Sequence, residues 1–308
     1  FGMSTGYPYG NQSGTVMAMA CMGEPGKYLD YFKDKIHLPN QVIPNDLLDD
    51  IKKDGDDEKF KIAAAIQRAT EQKVKEYLDP YVEEYKPKNL CFAGGVSLNS
   101  VMVGKMYEWY DGIVENIYVP PVPYDAGLSI GAAQIVWHDE DFMNQPRIKW
   151  EDSSPTYLGY SYSDEAVYEE LKNRKDKVTF EKVDDDEIVD LLTKDDNVIS
   201  VFNGGSESGR RALGNRSILA DPRNPDMKDI INKKVKHRQW FRPFAPSILK
   251  EDVKDWFEKD VESPYMTTVL KFKKSVRNKV PAVVHLDGTG RLQTVTENDN
   301  KWLKKYRR

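Results

Sequence analysis

The chain has 308 residues, of which 39% are hydrophobic and 31% are charged, and its formal net charge at pH 7 is -5. This composition predicts one large or two ordinary globular domains with a sizeable core. It argues against a membrane-spanning helix, because no apolar run approaches about 20 residues, and against general nucleic-acid binding, which needs a broad basic face. The two cysteines, Cys21 and Cys91, are expected to be buried free thiols in a cytoplasmic protein rather than a disulfide.

The first half of the chain predicts helices and strands in alternation. Helices are expected where apolar residues recur at intervals of three and four, and strands where short apolar runs are bounded by Gly or Pro. In chain order, the predicted elements are a helix at 63–78, a strand at 89–93, a helix at 98–109, a strand at 117–119 and a helix at 127–137. This order is typical of an α/β fold.

A polar, proline-containing stretch at 138–157 predicts a domain boundary, which we place at residue 150. A second α/β unit is expected after it. Its predicted elements are a helix at 188–192 and strands at 198–202, 267–272 and 280–286.

A basic island at 204–242 is the most unusual segment of the chain. It holds ten Lys or Arg against four acidic residues, although the whole chain is acidic. The default interpretation of a charge run is a solvated surface. Here, however, three arginines stand among small residues in the segment 207–217, which fits that default poorly. Since Arg matches phosphate oxygens with two parallel hydrogen bonds, the island predicts a phosphate-bearing ligand.

Three shorter motifs have both a structural and a functional interpretation. The glycine turn at 92–99, between a strand and a helix, is either an ordinary tight turn or an anion site. Asp125 either caps a helix or binds a hard cation. The segment 285–293 is either a structural turn with an Asp–Arg pair or another wall of an anion pocket, in which His285 moves protons near neutral pH.

Taken together, these segments resemble the O-carbamoyltransferase family of nodulation and antibiotic-tailoring enzymes. The motifs that carry the resemblance are FAGGVSLN (92–99), VPPVPYDAGLSIGAA (119–133), ESGRRALGNRSILADPR (207–223), INKKVKHRQWFRPFAPSIL (231–249), SPYM (263–266) and PAVVHLDGTGRLQTV (281–295). The resemblance implies that residues 1–150 form part of an actin-like (ASKHA-type) domain. It also implies that residues 151–308 form part of a YrdC-like α/β domain with a twisted mixed sheet.

The resemblance further implies an ATP-dependent O-carbamoyltransferase. Such an enzyme makes carbamoyl adenylate from carbamoyl phosphate and ATP, and passes the carbamoyl group to a hydroxyl of a small acceptor that is sugar-like or nucleoside-like. A divalent metal, Fe²⁺ or Mg²⁺, is implied as well. Neither a membrane nor a nucleic acid is expected as a partner, and a homodimer is left open.

Site residues carry over by position in the matching motifs. The resemblance assigns phosphate or carbamoyl binding and proton transfer to Arg211, Arg216, Lys236, Arg242, His285 and Arg291. It assigns contacts with the nucleotide or adenylate to Gly94, Gly95, Asn99, Asn215, Ser217, Ser263, Met266 and Asp287. Asp125 matches the metal-binding acid of the family.

The chain also departs from the family pattern. Arg210 stands where the family usually has Pro, Thr15 where a Lys is common, and Gly290 where Ala is usual. The metal-binding histidines of the family are expected before Phe1, and its N-T-S-F-N segment after Arg308. We therefore expect the sequence to lack part of the transfer site.

Two other functions remain open at this point. A threonylcarbamoyl-type tRNA modification protein would share the two folds and the adenylate chemistry, but it would use threonine, bicarbonate and tRNA. A non-catalytic actin-like module would bind nucleotide and act through a partner. Turnover that depends on carbamoyl phosphate separates both from the carbamoyltransferase.

Overall fold

Helices and small sheets alternate along the chain in a computed structural model that describes residues 13–33, 49, 53, 55–146, 155–194 and 197–296. The helices are α1 Ser13–Met19, α2 Tyr28–Lys33, α3 Asp56–Tyr85, α4 Ser100–Trp109, α5 Gly127–His138, α6 Asp164–Asn173, α7 Asp185–Thr193, α8 Met227–Ile230 and α9 Val253–Trp256. The strands are β1 Asn89–Cys91, β2 Asn116–Tyr118, β3 Val198–Phe202, β4 Arg216–Ala220, β5 Ser247–Leu249, β6 Thr268–Lys271 and β7 Thr289–Val295. These elements confirm the predicted α/β class.

Helix α3 organises the first unit of the chain, residues 13–146. A stripe that includes Ile62, Ala65 and Ala69 is buried against Tyr28 and Phe32 of α2. Small alanines on this face leave room for the aromatic rings of the neighbouring helix, which are large apolar groups. The helix ends at Lys86, which takes a left-handed conformation and donates its backbone N–H to the carbonyl of Val82.

Helix α4 connects this unit to the second one, residues 155–296. Its apolar face, which includes Met102 and Met106, packs on the parallel pair β1–β2. On another side Gly104 lies against the backbone of Val269 in β6, where a Cβ at position 104 would collide with the Val269 carbonyl. The absence of a side chain at residue 104 therefore allows direct contact between a helix of the first unit and a strand of the second.

The second unit contains an antiparallel pair, β3–β4, and a mixed sheet of order β5–β7–β6, in which β7 runs parallel to β5 and antiparallel to β6. Its core stacks the rings of Phe257 and Phe272, with centroids 4.2 Å apart, and buries Val253 and Leu292 beside them. Offset ring stacking and aliphatic burial together stabilise such a core. Because β7 is the central strand, its side chains reach the middle of the unit.

Most of the predicted elements are confirmed, but the strand at 280–286 is wrong. The chain there forms 3₁₀ turns at Arg277–Lys279 and Pro281–Val283. Pro281 lacks a backbone N–H to donate to a neighbouring strand, and its fixed φ suits the first position of a turn. The short apolar run that suggested a strand instead packs Ala282 and Val283 into the core from a turn.

Three further points bear on the sequence predictions. Both cysteines are free, but they are exposed rather than buried as predicted. None of the helices in the described ranges is long and apolar enough to cross a membrane. The boundary placed at residue 150 lies outside the described residues, which stop at 146 and resume at 155, so the division into two domains stays a prediction.

Candidate functional site

A cavity of about 590 Å³ lies between the two units. Helices α1, α3 and α4 form one wall, and the basic island together with the segment 282–293 forms the other. This volume falls within the usual range of small-molecule sites. The location, between a helical layer and the central strand of a sheet, lets side chains from distant parts of the sequence converge.

The cavity is strongly basic. Its cationic lining residues are Arg68, Lys105, Arg210, Arg211, Lys228, Lys236, Arg238, Arg242 and Arg291. Its acidic lining residues are Glu24, Glu71 and Asp287. Among the described residues, nine cations face three acids in this lining, in a chain of net charge -5, so the positive charge is concentrated at this place.

Four arginines of the basic wall lie close together and are called the arginine cluster: Arg211, Arg238, Arg242 and Arg291. Burial lowers the pKa of Arg291 well below its usual range, and Arg211, Arg238 and Arg242 lower it further. Its Nε is buried and has no hydrogen-bond partner among the described residues. Like charges held together without such a partner are stabilised by an anionic ligand.

The same pattern holds for two other members of the arginine cluster. Burial lowers the pKa of Arg238 to about 10, with a contribution from Arg242. Burial also lowers the pKa of Arg211, and Arg242 and Arg210 add to the effect. In each case the neighbouring charge that acts on the guanidinium is another arginine.

Contacts within the protein fix Arg238 and Arg242. Arg238 donates from Nε to Oδ1 of the buried Asn232 at 2.7 Å, and its guanidinium lies over the Phe244 ring at 4.7 Å. Arg242 donates from Nη1 to Oγ1 of Thr15 in α1 at 3.0 Å. Thr15, a departure from the family pattern, thus holds one arginine of the cluster from the opposite unit.

His285 lies beside the arginine cluster. Its Nδ1 is 3.0 Å from Oγ1 of Thr289, which donates to Oδ1 of Asp287 at 2.7 Å. Burial lowers the pKa of His285 to about 4; Asp287 opposes the shift and Arg291 adds to it. His285 is therefore neutral near pH 7 and adds no further positive charge to the cavity.

The opposite wall carries a hydrogen-bonded group that the sequence did not indicate. The buried Glu71 of α3 accepts from Gln67 at 2.8 Å and pairs with Lys105 of α4 at 2.6 Å. Gln67 also exchanges two hydrogen bonds with Asn99. This group joins α3 to α4 and gives the cavity a polar surface facing the arginine cluster.

Eight of the predicted site residues line the cavity: Arg211, Ser217, Lys236, Arg242, Met266, His285, Asp287 and Arg291. They come from four separate segments of the sequence, which the fold brings together. Arg238 was missed as a site residue, although it follows Lys236 by two positions in the same basic run. The sequence could not indicate that Arg238 contacts the ring of Phe244 and the side-chain amide of Asn232.

Other predicted residues of the second unit lie outside the cavity lining. Arg216 donates to the carbonyls of Asn203, Tyr160 and Gly204, and its guanidinium lies over the Phe202 ring at 3.7 Å. Backbone carbonyls thus occupy donors that were predicted to bind phosphate.

Two more predicted residues of that unit are also held by the protein itself. Asn215 donates to the Gly205 carbonyl at 2.7 Å. Ser263 is buried, and its backbone N–H donates to Oγ1 of Thr294 at 2.9 Å. The contact of Asn215 favours a structural role, whereas the buried Oγ of Ser263 has no hydrogen-bond partner among the described residues. Contact of either residue with a nucleotide stays a prediction.

Three predicted residues of the first unit, Gly94, Gly95 and Asn99, also lie outside the cavity lining. Gly94 has a φ of 94°, and a Cβ at Gly94 or Gly95 would meet nothing within 4 Å. Asn99 caps α4 by accepting from the Met102 amide at 3.1 Å. The turn is therefore open enough for a ligand, while its asparagine is committed to the helix.

Asp125 is exposed at the start of α5. No group of three or more His, Cys, Asp or Glu that could hold a metal ion occurs within the described ranges. The residues described here do not make a metal site on their own, because Fe²⁺ and Mg²⁺ need several ligands.

The position of Arg216 leads to a test of its predicted role. If its contacts are structural, Arg216→Ala lowers the thermal unfolding midpoint by a few degrees and leaves the affinity for pyrophosphate within about two-fold, since four protein contacts are lost and no ligand contact. Calorimetric binding and thermal unfolding measure the two effects. If pyrophosphate binding were instead weakened about ten-fold at an unchanged unfolding midpoint, the result would support the predicted contact of Arg216 with phosphate.

Comparison with known proteins agrees with the motifs. The family model described as carbamoyltransferase N-terminus matches residues 2–134, and the one described as carbamoyltransferase C-terminus matches residues 190–306. The chain is 40% identical over 246 residues to nodulation protein NolNO of Sinorhizobium fredii, covering 78% of this chain and 35% of that protein. It is 34% identical over 305 residues to nodulation protein NolO of Bradyrhizobium diazoefficiens, covering 92% of this chain and 54% of that protein.

An archaeal protein is similar as well. An uncharacterized protein of Methanocaldococcus jannaschii is 41% identical over 262 residues, covering 82% of this chain and 41% of that protein. The chain thus spans about half or less of the length of these curated relatives. Because the two family models together match most of its residues, the chain belongs to the carbamoyltransferase family.

Proposed function

We propose that this chain acts in ATP-dependent O-carbamoyl transfer, and that the cavity binds carbamoyl phosphate and the phosphates of ATP. The observation that carries the proposal is the arginine cluster, where the buried Nε of Arg291 has no hydrogen-bond partner among the described residues and its charged neighbours are arginines. Such a cluster costs stability unless an anion neutralises it. Both substrates are polyanions. Membership of the carbamoyltransferase family indicates that the group transferred is carbamoyl.

The chemistry would proceed in two steps. In the first, carbamoyl phosphate and water yield carbamate and inorganic phosphate, and a carbamate oxygen attacks the α-phosphorus of ATP, so that pyrophosphate leaves and carbamoyl adenylate forms. In the second, an acceptor hydroxyl attacks the carbamoyl carbon, AMP leaves and the hydroxyl proton passes to a base. The acceptor is proposed to be a small sugar-like or nucleoside-like molecule.

The arginines would act mainly in the first step. Negative charge accumulates on the α-phosphate and on the leaving pyrophosphate, and preorganised guanidinium groups stabilise it in a site with little water. Arg211, Arg242 and Arg291 are proposed to bind phosphate oxygens, and Lys236 to neutralise the outer phosphates. His285, being neutral, would exchange a hydrogen bond with the ligand instead of a charge interaction.

Exchange of labelled pyrophosphate into ATP in the presence of carbamoyl phosphate tests the first step. We expect exchange that requires carbamoyl phosphate and is not replaced by threonine with bicarbonate. If both substrates bind and no exchange occurs, adenylate formation by this chain is refuted. Exchange that requires threonine would favour the tRNA-modification alternative, and binding of ATP without either exchange would favour the non-catalytic module.

A further inference from the structure

Residues 207–213, which include Arg211, are called the arginine loop. The carboxylate of Glu207 fixes the shape of this loop. Oε1 of Glu207 accepts from the backbone N–H of Leu213 at 2.7 Å and of Asn215 at 2.9 Å, which closes the base of the loop. The tip of the loop, residues 209–211, makes no part of this closure and must be positioned by something else.

The first unit contacts the tip at two adjacent residues. Gly209 lies against the Pro121 backbone, where a Cβ at position 209 would collide with the Pro121 carbonyl. Arg210 places its guanidinium over the ring of Tyr124, 4.4 Å from the centroid. That distance is well within the range of a cation–π interaction. The tip thus contacts residues 121–124, which directly precede the predicted metal-binding Asp125.

Arg211 contacts the first unit as well. Its Nη2 lies 3.5 Å from the carbonyl oxygen of Leu98, at the end of the turn that begins with Gly94 and Gly95. Arg242 and Arg210 both repel Arg211, as the direction of its pKa shift shows. A contact that opposes this repulsion is needed to keep Arg211 pointing into the cavity.

We propose that Arg210 is a positioning residue that holds the arginine loop on Tyr124, so that Arg211 faces the anion bound in the cavity. This rests on the proposed function, which supplies the anion. It gives a role to the residue that stands in place of the usual proline of the family. It also links the cavity to the segment of Asp125 through one ring contact.

The test measures binding of inorganic pyrophosphate to the full chain by titration calorimetry. Tyr124 does not line the cavity, so Tyr124→Leu removes no ligand contact. We expect it to weaken pyrophosphate binding about two- to five-fold, the factor that one exposed cation–π interaction provides. Tyr124→Phe keeps the ring face and is expected to bind as the unaltered chain does.

A double-mutant cycle separates positioning from charge. Arg210→Leu loses a cavity-lining charge as well as the ring contact, so its own effect is larger. If the two residues act together, the factor by which Arg210→Leu weakens pyrophosphate binding is about two- to five-fold smaller in the Tyr124→Leu background than in the unaltered chain. Strictly additive effects, or full affinity in Tyr124→Leu, would overturn the positioning role.

A second variant keeps the test decisive if Tyr124→Leu does not fold. Gly209→Ala is expected to displace the tip and to weaken pyrophosphate binding at least as much as Tyr124→Leu. Gly131→Ala on α5 is the matched control, because a Cβ there meets nothing within 4 Å, and it should leave binding unchanged. Equal binding by both glycine variants overturns the positioning role, and no binding by the unaltered chain overturns the proposed function together with it.

Discussion

Replacing Arg291 with methionine is expected to stabilise the unliganded chain while removing most of its affinity for pyrophosphate. Burial and three neighbouring arginines both disfavour the charged form of Arg291. A methionine of similar length fills the space without a charge. We expect the free energy of unfolding to rise by about 1–2 kcal/mol, at the lower end of the gains seen when a buried ion pair is replaced by apolar residues.

The effect on binding has the opposite sign. Hydrogen bonds to charged groups are worth about 1.5–3 kcal/mol each, so the loss of one such donor set weakens binding about 10- to 100-fold. Denaturant unfolding and titration calorimetry measure the two changes on the same samples. A variant that is both less stable and fully able to bind would show that Arg291 supports the fold and not a ligand.

Arg223 offers a matched control for this experiment. It belongs to the same basic island and pairs with the carboxylate of Asp221, but it does not line the cavity. Arg223→Met is expected to change pyrophosphate affinity less than about two-fold, since exposed ion pairs contribute little and no ligand contact is lost. An equal loss in both variants would mean that binding responds to the total charge of the island.

A second large effect is expected from pH. The pKa of His285 is lowered to about 4 in the folded chain, chiefly by burial, whereas an unfolded histidine titrates near 6.5. Below about pH 6.5 the unfolded chain therefore binds more protons than the folded one, and folding stability falls as pH decreases towards 4. The contribution lost over this window is at most about 3 kcal/mol.

The measurement is urea unfolding at several pH values between 7 and 5, above the usual range of carboxylate titration. We expect the free energy of unfolding to decrease through this interval in the unaltered chain. In His285→Asn, which places a side-chain amide that does not titrate near Thr289, the decrease should be much smaller. A pH dependence that is identical in the two proteins would assign the proton uptake to another group.

Local sequence patterns were sufficient for the elements whose stability is local. The helix at 63–78, the glycine turn and the helix that follows were predicted because their apolar spacing and their glycines act within a few residues. Strand β7 was missed, since Gly290, Arg291 and Gln293 interrupt the apolar alternation expected of a strand. Its central place in the sheet comes from neighbours that are distant in sequence.

The site shows the same limit. Arg211, Arg242 and Arg291 were predicted from their positions in motifs that resemble the family, and the structure brings them to one cavity. Glu71 was missed, because a glutamate in a polar helix resembles a solvated residue until α4 supplies Lys105 and buries it. Arg216 was predicted from the same motif as Arg211, but only the fold shows that it points to backbone carbonyls.

The contact between Gly104 and Val269 limits how this chain can be recombined with its relatives. At that point no side chain separates the α4 backbone from β6, so any larger residue would force the two units apart. A chimera that joins the first unit of one carbamoyltransferase to the second unit of another should keep glycine at this position. The two units are therefore expected to be inherited as a matched pair. Exchange of units between family members should succeed only where the contact between Gly104 and the Val269 backbone is preserved.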